Sequence, residues 1–208
     1  MGLKFTHHSL TDWDYPTPGP YITLEQYISP PSCLAARYKS GVIDRQGWAV
    51  CNLSPAYNIY DGRIVSYLRF TAPYQRNFCW MFRMQALPSS PTAPPSNCYF
   101  YGFFPTTITL YRIGTNIASY TFSPALSIET WYRFRATWWQ YLQPDMTKMC
   151  RHTLEFETST GWIKIIDKGE SINSFATSSI NKIGFIVQHN SIDKDCCLDN
   201  TELWKRTE

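Results

Sequence analysis

Four residues carry the most distinctive chemistry in the chain. Trp131, Arg133, Arg135 and Trp139 fall on one side of the stretch Trp131-Tyr132-Arg133-Phe134-Arg135-Ala136-Thr137-Trp138-Trp139. That stretch reads as one long β-strand. Side chains alternate along a strand, so its residues sort into two sets. Tyr132, Phe134, Ala136 and Trp138 make an apolar face suited to a core. Trp131, Arg133, Arg135, Thr137 and Trp139 make a face of indoles, guanidiniums and a hydroxyl. Indoles offer stacking surfaces and guanidiniums offer directed donors, which together suit a binding face. The same inventory also suits arginine stems laid over indoles, with their tips on carboxylates of neighbouring strands. Sequence alone leaves both open. Arg69 and Arg83 sit on similarly patterned strands, opposite apolar sets, and join the candidate ligand-binding residues.

Other chemistry is less supported. Glycoside hydrolysis needs two carboxylates roughly 5–10 Å apart across a cleft. Glu155 and Glu157 share a strand face, but no third acid accompanies them, and Thr158 to Gly161 reads as a turn. An exposed charged face is the expectation there, and the domain is expected to be non-catalytic. His7, His8, His152 and His189 show no metal-ligand spacing and read as solvated or capping residues. Cys150 precedes Arg151-His152, but strand alternation argues against an activated thiolate. Asp193, Asp195 and Asp199 could offer oxygens to calcium, although a solvated acidic loop explains them as well. No cofactor is expected.

The totals set bounds on the fold. The 208 residues suit one all-β domain, with 16% aromatic and 17% charged residues pointing to a large interior or contact surface. The net charge of +3 is dispersed, so no basic patch points to nucleic acid. No apolar run approaches the ~20 residues of a membrane helix, and no secretory h-region opens the sequence. Seven cysteines, an odd number without a C-x-x-C pair, imply mostly free, buried thiols made in a reducing compartment.

Residues 1–31 read as an extended N-terminal arm, because Pro16, Pro18, Pro20, Pro30 and Pro31 forbid a long helix. Residues 32–208 read as a single β-sandwich domain with a proline-rich surface loop at 88–96. Strands are expected at Leu34–Tyr38, Trp48–Leu53, Ile64–Phe70, Phe78–Met84, Tyr99–Phe104, Thr106–Arg112, Ile117–Phe122, His152–Thr158, Trp162–Ile166, Ile183–Gln188 and Leu198–Trp204, besides the central one. On the second strand pair, Ile64, Ser66, Leu68 and Phe70 share one face. Phe78, Trp80, Phe82 and Met84 are expected inward, with Cys79, Met81 and Arg83 opposite. No long amphipathic helix is expected.

The succession DGRIVSYLRF, FCWMFRM, WYRFRATWW, LEFETSTGWIKI, NKIGFIVQ and CCLDNTELWK resembles the concanavalin A-like lectin/glucanase jelly roll, nearest to its laminin-G-like or DUF1080-like variants. The resemblance spans about residues 40 to 205. It implies an antiparallel β-sandwich of two sheets, one concave. It also implies that sugars would stack on Trp or Tyr of that sheet. Asp199-Asn200 stands where family members often carry two acids, so a shared calcium site is not carried over. Trp, Tyr and Arg are equally enriched at protein interfaces, so the partners expected are glycans, subunits of a larger assembly, or both. Fold and thiols together suggest a virion surface or capsid decoration protein made in the cytoplasm. The alternatives are a secreted or cell-surface carbohydrate-binding module and a glycoside hydrolase-like enzyme.

Overall fold

The computed structural model describes residues 59–71, 78–86, 98–112, 114–171, 182–186 and 197–205 with their side chains, and the backbone of further strands among residues 2–51 and at 187 and 196. Sixteen strands are described, and no helix occurs among the described residues. In chain order they are β1 (Gly2–Phe5), β2 (Trp13–Asp14), β3 (Tyr21–Thr23), β4 (Cys33–Lys39), β5 (Val42–Arg45), β6 (Gly47–Cys51), β7 (Gly62–Arg69) and β8 (Phe78–Met84). They continue with β9 (Tyr99–Phe103), β10 (Thr107–Arg112), β11 (Thr115–Thr121), β12 (Trp131–Leu142), β13 (Lys148–Thr158), β14 (Gly161–Ser171), β15 (Lys182–Val187) and β16 (Cys196–Lys205).

The strands form two antiparallel sheets. One has nine strands in the order β14-β13-β12-β7-β16-β4-β3, with β1 beside β16 and β5 beside β4. The other has seven, in the order β11-β10-β9-β8-β15-β6-β2. This is a jelly-roll β-sandwich. The first three strands, β1, β2 and β3, pair into both sheets. The loop at 88–96 lies outside the described residues.

The core lies between the sheets, and alternation explains it. Phe134, Ala136 and Trp138 of β12 are fully buried, as are Ile64 and Leu68 of β7, facing Phe78, Trp80, Phe82 and Phe103 of the other sheet. Phe134 stands among three rings, with centroids 5.3 Å from Phe103, 5.3 Å from Phe156 and 6.4 Å from Phe70. Tyr132 is only half-buried, and its hydroxyl accepts a bond from the Ser127 N–H. Ser66 is the polar exception inside, satisfied by the Asp199 carbonyl at 2.9 Å and the Thr201 hydroxyl at 2.8 Å.

Strand β8 departs from simple alternation. Arg83 has φ of 51°, and the pairing with β15 shifts between Lys182 and Gly184. This β-bulge inverts the faces beyond it. Met84 therefore joins Cys79, Met81, Cys98, Phe100 and Ile186 in a second buried cluster on the far side of the sheet. The expected inward placement of Met84 is corrected on that ground. Arg83 leaves the Cys79–Met81 face and turns toward Tyr60 and Asp61.

Candidate functional site

Strand pairing assembles the candidate site on the outer face of the nine-stranded sheet. Residues directly opposite in an antiparallel pair share a face. Trp131 lies opposite Arg69, Arg133 opposite Tyr67, and Thr137 opposite Arg63 of β7. On the other side, Arg135 meets Glu155, Thr137 meets Thr153, and Trp139 meets Arg151 of β13. Beyond them β14 brings Lys164 opposite Glu155 and Trp162 opposite Glu157. One extra residue in β14, Ile165, then re-phases the strand so that Asp167 reaches Arg151.

The side chains form an ordered lattice. Arg135 grips Glu155 with two parallel bonds, Nε to Oε2 at 2.6 Å and Nη2 to Oε1 at 2.8 Å. Arg133 donates to Glu157 at 3.3 Å and lies 4.0 Å from Glu202. Arg151 holds Asp167 bidentately at 2.6 and 2.8 Å, and Lys164 joins it at 3.0 Å. Arg151 thereby keeps the Asp167 carboxyl down at about 2. The rings lie beneath the cations. The Arg135 guanidinium sits 4.4 Å from the Trp162 ring centre, and Arg133 lies 5.5 Å from it and 5.3 Å from Tyr67. Arg151 lies 5.9 Å from Trp139. Arginines over rings, with tips on carboxylates, is the geometry found. Trp131, Arg133, Arg135, Trp139 and Trp162 remain half-buried, so each still presents surface outward.

The six sequence-derived candidates therefore separate. Trp131, Arg133, Arg135, Trp139 and Arg69 belong to this sheet, although Arg69 is nearly covered. Arg83 does not. It lies in the other sheet with its side chain fully buried, donating to the Tyr60 carbonyl and to Asp61, both at 2.9 Å. Its placement with the other arginines is corrected, because the bulge turns it inward. Trp162, Tyr67, Glu202 and Asp167 complete the lattice and escaped the sequence reading. Trp162 was legible as the residue after the Gly161 turn, whereas Glu202 depends on the bulge in β16 between Asp199 and Glu202.

A second polar group lies inside one end of the sandwich. His152 is fully buried, not solvated as expected, with its ring centre 4.6 Å from Tyr99 and 5.6 Å from Phe82. Its Nε2 stands 3.7 Å from Glu170, which Arg112 holds at 2.9 Å. Burial pushes the imidazole below its ordinary value against the pull of Glu170. Burial alone would raise Glu170, but contacts with His152, Tyr99 and Arg112 outweigh it and hold the carboxyl down. Cys150 shares this inner face with His152, since the two are separated by one residue, so alternation does not part them as expected. Burial pushes its thiol up to about 12, so it is no nucleophile. His152 and Cys150 themselves offer no surface to an external ligand, whereas Arg112 at the rim is partly exposed. Asp199 is buried, with its carboxylate taking the Asn200 N–H at 2.6 Å. No metal-binding group of three or more His, Cys, Asp or Glu occurs among the described residues. His7, His8, His189, Asp193 and Asp195 lie outside them.

No protein-family model matches the chain, and no curated protein matches its sequence. Solved structures do match its fold. The lectin UEA-II complexed with galactose aligns with TM-score 0.61 at 9% identity, over 98% of each chain. A carbohydrate esterase from the Shiga toxin-encoding bacteriophage phi24B aligns with TM-score 0.54 at 7% identity, over 99% of this chain and 98% of that one. The alginate lyase Aly36B with an alginate trisaccharide aligns with TM-score 0.51 at 10% identity, over 99% and 98%. These likenesses establish the lectin-type jelly roll. They also overturn the expectation of a non-catalytic module, since this fold houses an esterase and a lyase as well as lectins. The missing acidic triad argued against one reaction, glycoside hydrolysis, and not against others.

Proposed function

We propose that this domain recognises carbohydrate on the outer face of its nine-stranded sheet, around Arg133, Arg135, Trp131, Trp139 and Trp162. The observation that carries the reading is the lattice itself. Guanidiniums held by carboxylates over half-buried indoles present fixed donors, acceptors and ring edges, so little ordering cost remains on binding. Similar solved structures support it, because their own names couple this fold to galactose, alginate and carbohydrate ester chemistry. We further infer a virion surface as its setting, seated among protein subunits and made in the cytoplasm. Cys150 is a free, fully buried thiol, which favours a reducing site of synthesis over an extracellular one. One similar structure comes from a bacteriophage.

A glycan array probed with the intact protein and with Arg133→Ala and Trp139→Ala tests the reading. Binding by the intact protein that both variants lose, at unchanged thermal stability, is the expected result. Binding retained in full by both would place recognition elsewhere. Mass spectrometry of the bound glycans after incubation reads turnover in the same experiment.

A further inference from the structure

Resting on the carbohydrate reading, we propose that the lattice selects neutral, hydroxyl-rich glycans and rejects those bearing carboxylates or sulfates. Four cations at its centre meet four carboxylates, while Arg63 and Arg69 of β7 flank them on the same face. Arg133, Arg135, Arg151 and Lys164 face Glu155, Glu157, Asp167 and Glu202, and every one of these cations has a carboxylate within 4.0 Å. An anionic sugar needs a cation whose charge is not already compensated. Here each candidate cation would first have to leave its partner, and the incoming anion would then lie against Glu155 or Glu157. Arg63, exposed at the next register position beside Thr137, lies at the margin of this block.

A hydroxyl has different needs, because it donates and accepts at once. The lattice offers both in alternation. Arg135 spends Nε and Nη2 on Glu155, which leaves the two Nη1 hydrogens for a ligand. Arg133 spends Nη1 on Glu157, and its Nη2 lies 4.0 Å from Glu202, too far for a hydrogen bond. Each carboxylate keeps lone pairs beyond those its arginine occupies. Neighbouring sugar hydroxyls can therefore bridge from a guanidinium to the adjacent carboxylate without breaking an ion pair.

The test compares matched pairs of oligosaccharides: neutral hexose and N-acetylhexosamine chains, and the same chains carrying uronate, sialic acid or sulfate. The intact protein is expected to bind the neutral member at least about tenfold more tightly. That binding should be unchanged between ~0.05 and ~0.5 M salt, as befits a neutral ligand. Glu155→Gln and Glu157→Gln uncouple Arg135 and Arg133 in turn. Each is expected to raise affinity for the acidic member on the order of tenfold, and that gain should fade with salt. Tighter binding of acidic glycans by the intact protein would overturn this inference while the carbohydrate reading stands. So would Gln variants that fold as the intact protein does and gain nothing. Failure to bind either member would overturn both.

Discussion

Replacing Asp61 by alanine should destabilise the domain although Asp61 stands at a strand entrance, partly in water. Its carboxylate takes Nη2 of Arg83 at 2.9 Å and the Gln140 N–H at 3.1 Å. The Arg83 side chain is 0% exposed, whereas Asp61 is 23% exposed. Removing one partner of a buried pair costs about 3–5 kcal/mol, because the other charge stays behind without compensation. Water reaches the Asp61 side, so the lower end, about 3 kcal/mol, applies. For a chain of this size each kcal/mol moves Tm by about 2–4 °C, giving a fall of about 6–12 °C by calorimetry. The reverse change, Arg83→Met, leaves a carboxylate that water can solvate and should cost less. The double variant should recover at least half of the Asp61→Ala loss. A loss below ~1 kcal/mol for Asp61→Ala would refute the structural role given to Arg83. So would an Arg83→Met protein of native Tm that no longer binds glycan.

Three further outcomes follow. Phe134→Ala removes the ring shared by Phe70, Phe103 and Phe156 and should cost about 3–5 kcal/mol in denaturant titration; Arg135→Ala, removing a partly solvated pair, should cost about 1 kcal/mol or less. Gly62→Ala would drive a methyl into Ile59 and to 2.8 Å from the Trp204 carbonyl, which is backbone and cannot yield cheaply; overpacking of this kind costs about 1–3 kcal/mol by the same titration. Asp167 has a folded-state value depressed to about 2, so its contribution is fully present above the ordinary carboxylate range and is lost as pH falls toward 2. Because its partners are well exposed the effect should be about 1 kcal/mol or less, and Asp167→Asn should flatten that limb of the stability–pH curve.

Much of this architecture is legible in the residues. Period-two alternation located β7, β12 and β13 and put Phe134, Ala136 and Trp138 in the core, because burial on one face leaves a direct trace in sequence. The Gly161 turn is visible because its φ of 116° suits glycine. Arg83 and Met84 were not legible. A bulge at a non-glycine residue leaves no compositional mark, and it inverted both. His152 escaped for a related reason. Its neighbour Tyr99 comes from distant β9, and Glu170 reaches it only through the far end of the β13–β14 register, so nothing local announced a buried imidazole. The outer lattice was half visible: β12 displayed its arginines and tryptophans, but their carboxylates arrive only through the registers of β13, β14 and β16. Fold likeness added what no motif carried, namely that solved structures of this fold include an esterase and a lyase as well as lectins.

Sugar is proposed to meet the chain on the Arg133–Arg135–Trp162 face. Indole N–H resonances report it directly when the protein is titrated with whichever array glycan it binds best. Signals of Trp131, Trp139 and Trp162 should move together and saturate, while those of the buried Trp80 and Trp138 stay fixed. Saturable shifts confined to residues outside this face, with those three indoles unmoved, would contradict the account.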